Sequence, residues 1–199
     1  MSSHAPTGSG HRRSDVPAEN LSVTCAISAD ELADAVRRIA GRVSADYAGK
    51  PLLVVGVLNG AWVFMADLVR ELTTPACCDF VQVSSYGSRM VSSGKPQLRL
   101  DVSAPVAGAH LLLVDDIIDT GISLAWLRTH LLCKQPASLR LCVLLDKPAR
   151  RRVRIQPDYV GFEIPDRFVV GYGIDYAHRY RELPYIGYVD ERGSGHEPV

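Results

Sequence analysis

The chain has 199 residues and carries 22 lysines and arginines against 22 aspartates and glutamates, so its formal net charge is zero. A chain of this length can bury about 70% of its unfolded surface in one core, and without net charge no overall field favours nucleic acid or a membrane surface. No apolar run approaches the ~18 residues that span a bilayer, so we expect no membrane anchor and a cytoplasmic location. Residues 1–20 and 191–199 are rich in small, polar and charged residues. This composition predicts a disordered N-terminal tail and a flexible C-terminal tail on either side of one domain at 21–190.

The first half of the domain alternates between helix and strand patterns. A capping box begins a helix at about 29–47. The apolar run at 51–60 ends in a glycine turn and predicts a buried strand, and 61–72 has the apolar spacing of a helix. Residues 78–87 predict another strand, and the polar segment 88–97 has no periodicity, which is typical of a mobile loop.

The second half continues this alternation. Strand patterns occupy 98–102, 110–118 and 138–146, with a helix pattern at 123–134. Strands that alternate with helices of ten to fifteen residues predict an α/β fold, a mainly parallel sheet flanked by helices. The short, proline-separated pieces of about 150–189 predict a small irregular hood beside the sheet.

Three carboxylates interrupt the buried strand pattern in LLLVDDIIDTGIS, where an unpaired charge would cost several kcal/mol. Ligands bind at the carboxyl ends of parallel strands, so a ligand can compensate Asp115, Asp116 and Asp119. The turn from Asp119 to Ser123 offers amides and hydroxyls for a phosphate, and Gly121 allows close approach. Strand alternation sends Asp115 and Asp116 to opposite faces, and ribose hydroxyls, met directly or through Mg²⁺, suit such acceptors. Alternatively, the acids cap the helix and pair with an arginine.

The stretch VDDIIDTG resembles the phosphoribosyl pyrophosphate (PRPP) signature of type I phosphoribosyltransferases. SSYG, LLDKPARR and PDYVGFEIPDRFVVGYGIDYAHRYRELPYIGYV are similar to the hypoxanthine-guanine phosphoribosyltransferases, and the likeness covers about 22–189. It implies the type I phosphoribosyltransferase fold, with N-terminal residues completing the hood. It also implies purine salvage: Mg²⁺-dependent transfer of phosphoribose from PRPP to hypoxanthine or guanine, giving IMP or GMP and pyrophosphate. A homodimer or homotetramer is implied as well.

The resemblance also implies roles for individual residues, with Asp119 as the general base beside the purine's imidazole edge. The residues that would bind the ribose phosphate are Asp115, Asp116, Ile118, Asp119, Thr120, Gly121, Ile122 and Ser123, and those that would bind the pyrophosphate are Asn59, Gly60 and Arg181. The purine would be bound by Lys147, Phe168, Val169 and Asp175, and Mg²⁺ by Asp115, Asp116 and Asp175. Ser85 and Tyr86 would lie on a loop that closes over the site. The ammonium of Lys147 has only donors and suits a 6-oxo group better than a 6-amino group. Taken alone, Lys147 fits a solvated turn equally well, and Phe168 fits a core strand.

One position departs from the family, because Asn59 precedes Gly60 where a basic residue is usual. That loop normally meets pyrophosphate through backbone amides, often next to a cis peptide, so the missing cation bears on PRPP affinity. Two further functions stay open. One is a regulator of the same fold that senses nucleotide or binds RNA, which the zero net charge disfavours. The other is a transferase that prefers xanthine or guanine, because all these bases share the 6-oxo group.

Overall fold

The computed structural model describes residues 22–84 and 96–189. Ser85, Tyr86, nearly all of the predicted mobile loop and both predicted tails lie outside these ranges. In chain order the elements are β1 (Val23–Ile27), α1 (Ala29–Asp46), β2 (Leu52–Leu58), α2 (Trp62–Glu71), β3 (Ala76–Ser84), β4 (Gln97–Leu100), β5 (His110–Ile118), α3 (Ile122–Leu132), β6 (Ser138–Asp146), a 3₁₀ turn (Pro148–Arg150), β7 (Tyr159–Glu163), β8 (Val169–Val170) and β9 (Ile186–Val189).

A six-stranded sheet with the order β4-β3-β2-β5-β6-β7 forms the body of the molecule. Its strands are parallel apart from the antiparallel edge strand β4, which confirms the predicted α/β class. The central strands are apolar on both faces because helices cover both sides. Leu52 and Val54 of β2 pack with α1 and α2, whereas Leu53 and Val55 pack with α3. The carboxyl ends of β2, β5 and β6 therefore meet at one edge of a fully covered sheet.

A separate three-stranded antiparallel sheet with the order β1-β9-β8 forms the hood. Val23 of β1 pairs with Val189 of β9, so residues from both ends of the described chain build it. The prediction that all strands of about 150–189 belong to the hood is wrong for β7, which pairs with β6 in the main sheet. Gly161 permits this close pairing, since a Cβ there would lie 2.5 Å from the carbonyl oxygen of Leu144. Within the described ranges, no helix is long and apolar enough to cross a membrane.

Candidate active site

A cavity of about 730 Å³ opens at the carboxyl ends of β2 and β5. The residues predicted to meet the ribose phosphate all line it: Asp115, Asp116, Ile118, Asp119, Thr120, Gly121, Ile122 and Ser123. Gly121 caps α3 with a φ of 78°, and a Cβ there would lie 2.7 Å from the Ile155 side chain. The first amides of a helix have no intrahelical acceptor and carry partial positive charge. The start of α3 is therefore suited to a phosphate group.

The two adjacent acids at the end of β5 share this cavity. Burial raises the pKa of Asp115 well above its usual range, and repulsion from Asp116 adds to the rise. Burial also raises the pKa of Asp116, and hydrogen bonds and the charge of Arg181 offset part of that rise. That alternation sends the acids to opposite faces stays a prediction, and the alternation slips between Val114 and Ile117. Val114 and Ile117 both pack on the α1–α2 side, although they are three residues apart.

Asp115→Asn is expected to raise the melting temperature of the unliganded protein by about 3 °C, since it removes a poorly solvated charge. The folded-state pKa of Asp115 is raised, so its ionised form disfavours folding once the pH exceeds the unfolded value of ~3.9. The increase in melting temperature should therefore be absent below about pH 4 and should grow as the pH rises towards the raised pKa of Asp115. Thermal melts in a chelator between pH 4 and 8 measure this. A variant that melts at the parent's temperature throughout contradicts the prediction.

The loop between β2 and α2 packs directly against these acids. A Cβ on Gly60 would lie 1.8 Å from Oδ2 of Asp116, so only glycine fits while that carboxylate keeps its place. The Leu58–Asn59 peptide bond is cis. The Asn59 side chain, which stands where a cation is usual, accepts a hydrogen bond from Gln82 at 3.4 Å. Leu58 and Gly60 line the phosphate cavity, so the backbone of this loop is available to a ligand there.

Gly60→Ala is expected to raise the KM for PRPP at least about tenfold, since the new methyl group must displace the Asp116 carboxylate, at a cost of ~1–3 kcal/mol. Gly41→Ala in α1 is the matched control because its Cβ would meet nothing within 4 Å. Steady-state kinetics with varied PRPP, beside thermal melts of both variants, provide the measurement. Equal KM values for parent and Gly60→Ala would show that Asp116 can move without loss of binding.

A second cavity, of about 1010 Å³, lies between the sheet edge and the hood. The residues predicted to bind a purine all line it: Lys147, Phe168, Val169 and Asp175. Asp116, Ile117 and Asp119 line this cavity and also the phosphate cavity. The two cavities therefore meet at the acids of the β5–α3 segment.

Two of the alternatives that the sequence left open are wrong. Lys147 is not a solvated turn residue, because it is only 6% exposed and its Nζ donates to the Arg167 carbonyl at 2.6 Å. Burial lowers the pKa of Lys147, and the negative charge of Asp119 opposes this. Phe168 does not belong to the core, because it is 49% exposed. Its ring makes an edge-to-face contact with Tyr176, at 5.6 Å between centroids, and lines the cavity, where its face suits a planar ligand.

The hood also presents a carboxylate, Asp175, and a guanidinium, Arg181, at the end of the site near Gly60. Arg181 pairs with Oδ1 of Asp175 at 2.7 Å and donates to the Gly173 carbonyl. The backbone of Gly173, at a φ of 99°, packs so closely on Gly60 that a Cβ would lie 2.4 Å from the Gly60 oxygen. Among residues 22–84 and 96–189, no three Asp, Glu, His or Cys side chains converge on a point where a metal ion could sit. The predicted metal residues Asp115, Asp116 and Asp175 thus do not form one cage.

Comparison with known proteins agrees with this geometry. A model of the phosphoribosyl transferase domain matches residues 28–177. The hypoxanthine-guanine phosphoribosyltransferase of Bacillus subtilis is 44% identical over 161 residues, which are 81% of this chain and 89% of that protein. The chain belongs to the phosphoribosyltransferase family. A crystal structure of a Bacillus anthracis hypoxanthine-guanine phosphoribosyltransferase superposes with a TM-score of 0.80 at 40% identity, covering 86% of this chain and 100% of the other.

A longer relative shares the same phosphoribosyltransferase region. The "Bifunctional protein TilS/HprT" of Listeria innocua is 49% identical over 161 residues. The match covers 81% of this chain and 25% of that relative, so the phosphoribosyltransferase described here spans about a quarter of the length of such proteins.

The sequence reasoning missed three charged residues of this phosphoribosyltransferase. Nε of Arg150 lies 2.7 Å from Oδ1 of Asp119, and its NH1 donates to Asp166 at 3.1 Å. Arg152 lines the phosphate cavity beside Arg150, and its backbone N–H donates to the Thr120 carbonyl at 3.0 Å. The signal was the basic run KPARRRVR at 147–154, which reads as a surface cluster until the fold places it against β5. The alternative that an acid pairs with an arginine is thus correct for Asp119.

Proposed function

We propose that this chain transfers the phosphoribosyl group of PRPP to hypoxanthine or guanine, forming IMP or GMP and pyrophosphate in purine salvage. The observation that carries the proposal is the junction of two cavities, because Asp116, Ile117 and Asp119 line both. One cavity offers a helix N-terminus for a phosphate, and the other offers a buried ammonium and an exposed aromatic ring for a planar base. The carboxylate of Asp119 lines both cavities, which supports a role for it between the base and the ribose. The names of the relatives support these substrates.

In the proposed reaction, the acids where the two cavities meet act on the purine and on the ribose. Asp119 takes the proton from the purine nitrogen as that nitrogen attacks C1′ of the ribose, which is general base catalysis. The bond from C1′ to pyrophosphate breaks, and positive charge develops on the ribose. Asp115 and Asp116 accept hydrogen bonds from the ribose hydroxyls, and their negative charge stabilises the developing cation. The cradle from Thr120 to Ser123 holds the 5′-phosphate throughout.

We propose Mg²⁺ as the cofactor, held by substrate phosphates together with the acids of β5, Asp115 and Asp116, or with Asp175, since the three acids do not form one cage. The donor set fits, because carboxylate oxygens suit this hard cation, which is usually bound by one or two carboxylates together with substrate phosphates. Burial raises the pKa of Asp115, and a nearby cation would favour the charged form of this carboxylate. Bound Mg²⁺ would neutralise the pyrophosphate that leaves.

The purine is recognised by its 6-oxo group, its flat face and its edge. In this proposal Lys147 donates to the oxo group, Phe168 stacks on the ring, and the carbonyl of Val169 accepts from the base. Asp175 closes the end of the purine site and orients Arg181, which binds pyrophosphate together with the loop at Asn59 and Gly60. Closure of the loop that bears Ser85 and Tyr86, which would exclude water, stays a prediction.

The experiment is an assay of PRPP consumption with Mg²⁺ against hypoxanthine, guanine, xanthine and adenine in turn. We expect turnover with the first two bases, little with adenine, and none when Mg²⁺ is chelated. Preferred use of xanthine would change the substrate but keep the chemistry. No turnover with any base, beside tight nucleotide or RNA binding, would favour the regulator.

We further propose that the chain forms a homodimer or homotetramer and acts in the cytoplasm. The proposal of an oligomer rests on the family and on two large side chains near the sheet edge, Trp62 at 51% and Phe80 at 37% exposure. Burial of such side chains is a usual driving force for association. Sedimentation at several protein concentrations should show no monomer at micromolar levels.

A further inference from the structure

Arg150 joins the two sides of the purine cavity. Its Nε contacts Oδ1 of Asp119 at 2.7 Å, and that acid lies on the turn between β5 and α3. Its NH1 lies 3.1 and 3.4 Å from the two carboxylate oxygens of Asp166, which precedes β8 of the hood. One guanidinium thus connects the edge of the main sheet to the hood.

The contact occupies the group that a purine needs. A purine N–H must reach a carboxylate oxygen of Asp119, and in this state Oδ1 of that carboxylate already faces a permanent cation. The same pair of contacts places the Arg150 side chain along the wall of the purine cavity. A base that approaches Oδ1 of Asp119 therefore has to compete with Arg150.

Arg150 also lines the phosphate cavity. The cradle sequence from Asp119 to Ser123 contains no basic residue, and Asn59 stands where the family usually has a cation. A phosphate dianion offers a guanidinium two parallel, charge-assisted hydrogen bonds, which are stronger than a half-exposed ion pair with a carboxylate. A phosphate ester bound in the cradle can therefore attract this side chain away from Asp119.

We propose that Arg150 is a clasp, a side chain whose two ion pairs join Asp119 to Asp166 across the purine cavity, and that PRPP opens the clasp by drawing the guanidinium onto a phosphate oxygen. The inference rests on the proposed role of Asp119. It makes the affinity for the purine depend on the fraction of molecules in which the clasp is open, since only those can bind. Binding of PRPP would then raise the affinity for the purine, because it moves the Arg150 side chain away from Asp119.

The test is binding of radiolabelled hypoxanthine by equilibrium dialysis without PRPP, together with the KM for PRPP. Arg150→Gln is expected to bind hypoxanthine about three- to tenfold more tightly, because the competing ion pairs are gone. Its KM for PRPP is expected to rise by about tenfold or more, because a charged hydrogen bond to phosphate is lost. Asp166→Asn removes only the hood end of the clasp, so hypoxanthine should bind more tightly while the KM for PRPP stays within about twofold.

Arg154→Gln is the matched control, because Arg154 is exposed on the same basic run and should change neither quantity. A merely structural ion pair would weaken both ligands together and lower the melting temperature. Hypoxanthine binding that is unchanged or weaker in both Arg150→Gln and Asp166→Asn overturns the clasp, and Asp166→Asn decides if Arg150→Gln fails to fold. Failure of the proposed function is seen separately, as absent turnover in the parent protein.

Discussion

Asp119→Asn is expected to lower kcat by about 10²- to 10⁴-fold, the usual effect of losing a general base. An amide keeps the shape of the side chain and one acceptor oxygen, but it cannot take the purine proton. The KM for PRPP should change only a few-fold, because the cradle from Thr120 to Ser123 and the acids of β5 remain. Steady-state kinetics with saturating hypoxanthine and varied PRPP separate the two effects.

Asp30→Asn is a suitable control, because Asp30 is exposed in the first turn of α1. Its kinetic constants should match the parent's. Loss of Asp119 also leaves Arg150 with Asp166 as its carboxylate partner, so a melting curve of Asp119→Asn is needed to show that the fold persists. An Asp119→Asn protein that is folded and retains the parent's kcat would remove Asp119 from the role of base.

Lys147 is expected to determine the choice between oxo and amino purines. Its ammonium is buried and already donates to the Arg167 carbonyl at 2.6 Å, which leaves further donors for a 6-oxo group and no acceptor for a 6-amino group. Sites that hydrogen-bond one substrate group can discriminate by as much as ~10⁴. Lys147→Ala should therefore lower kcat/KM for hypoxanthine and guanine by about 10² or more, while adenine remains nearly as poor as before.

Lys147→Gln sharpens this test, since an amide can present a donor or an acceptor. We expect the ratio of kcat/KM for hypoxanthine to that for adenine to narrow in this variant. Lys50→Ala is the control, because Lys50 is exposed, donates to the Asp46 carbonyl at the end of α1 and lines neither cavity. If Lys147→Ala and Lys147→Gln both keep the parent's ratio, recognition of the 6-oxo group lies elsewhere in the cavity.

The sheet and the phosphate cradle could be predicted because their signals are local. The bounds of β5 and β6 agree with the apolar runs that predicted them, since each run is bounded by turn residues. The cradle residues are consecutive in sequence, so a single turn brings them together. The slip in alternation between Val114 and Ile117 is different, because it accompanies a matching slip in the neighbouring strand. Leu144 and Leu145 of β6 also both pack on the α1–α2 side, and no pattern within β5 shows this.

The ion pairs of Arg150 and the position of β7 depend on contacts between segments that are distant in sequence. Arg150 meets Asp119 and Asp166 only because the 3₁₀ turn after β6 comes to lie between the cradle and the hood. In the sequence, that arginine cannot be told from its basic neighbours. The strand β7 was assigned to the hood for a related reason. Its pattern, DYVGFEI, resembles the other short C-terminal pieces, which also contain glycines, so the pairing of β7 with β6 is visible only in the folded sheet.

The pairing of Val23 with Val189 has a consequence for the order in which the molecule is built. Strand β1 leaves the ribosome first, yet its partner β9 is among the last described residues to be made. The parallel core can assemble in the meantime, since each of its strand pairs spans a much shorter stretch of chain. Because contacts between distant residues form slowly, we expect the hood to form after the parallel core, and with it the side of the purine cavity that Phe168 and Val169 line.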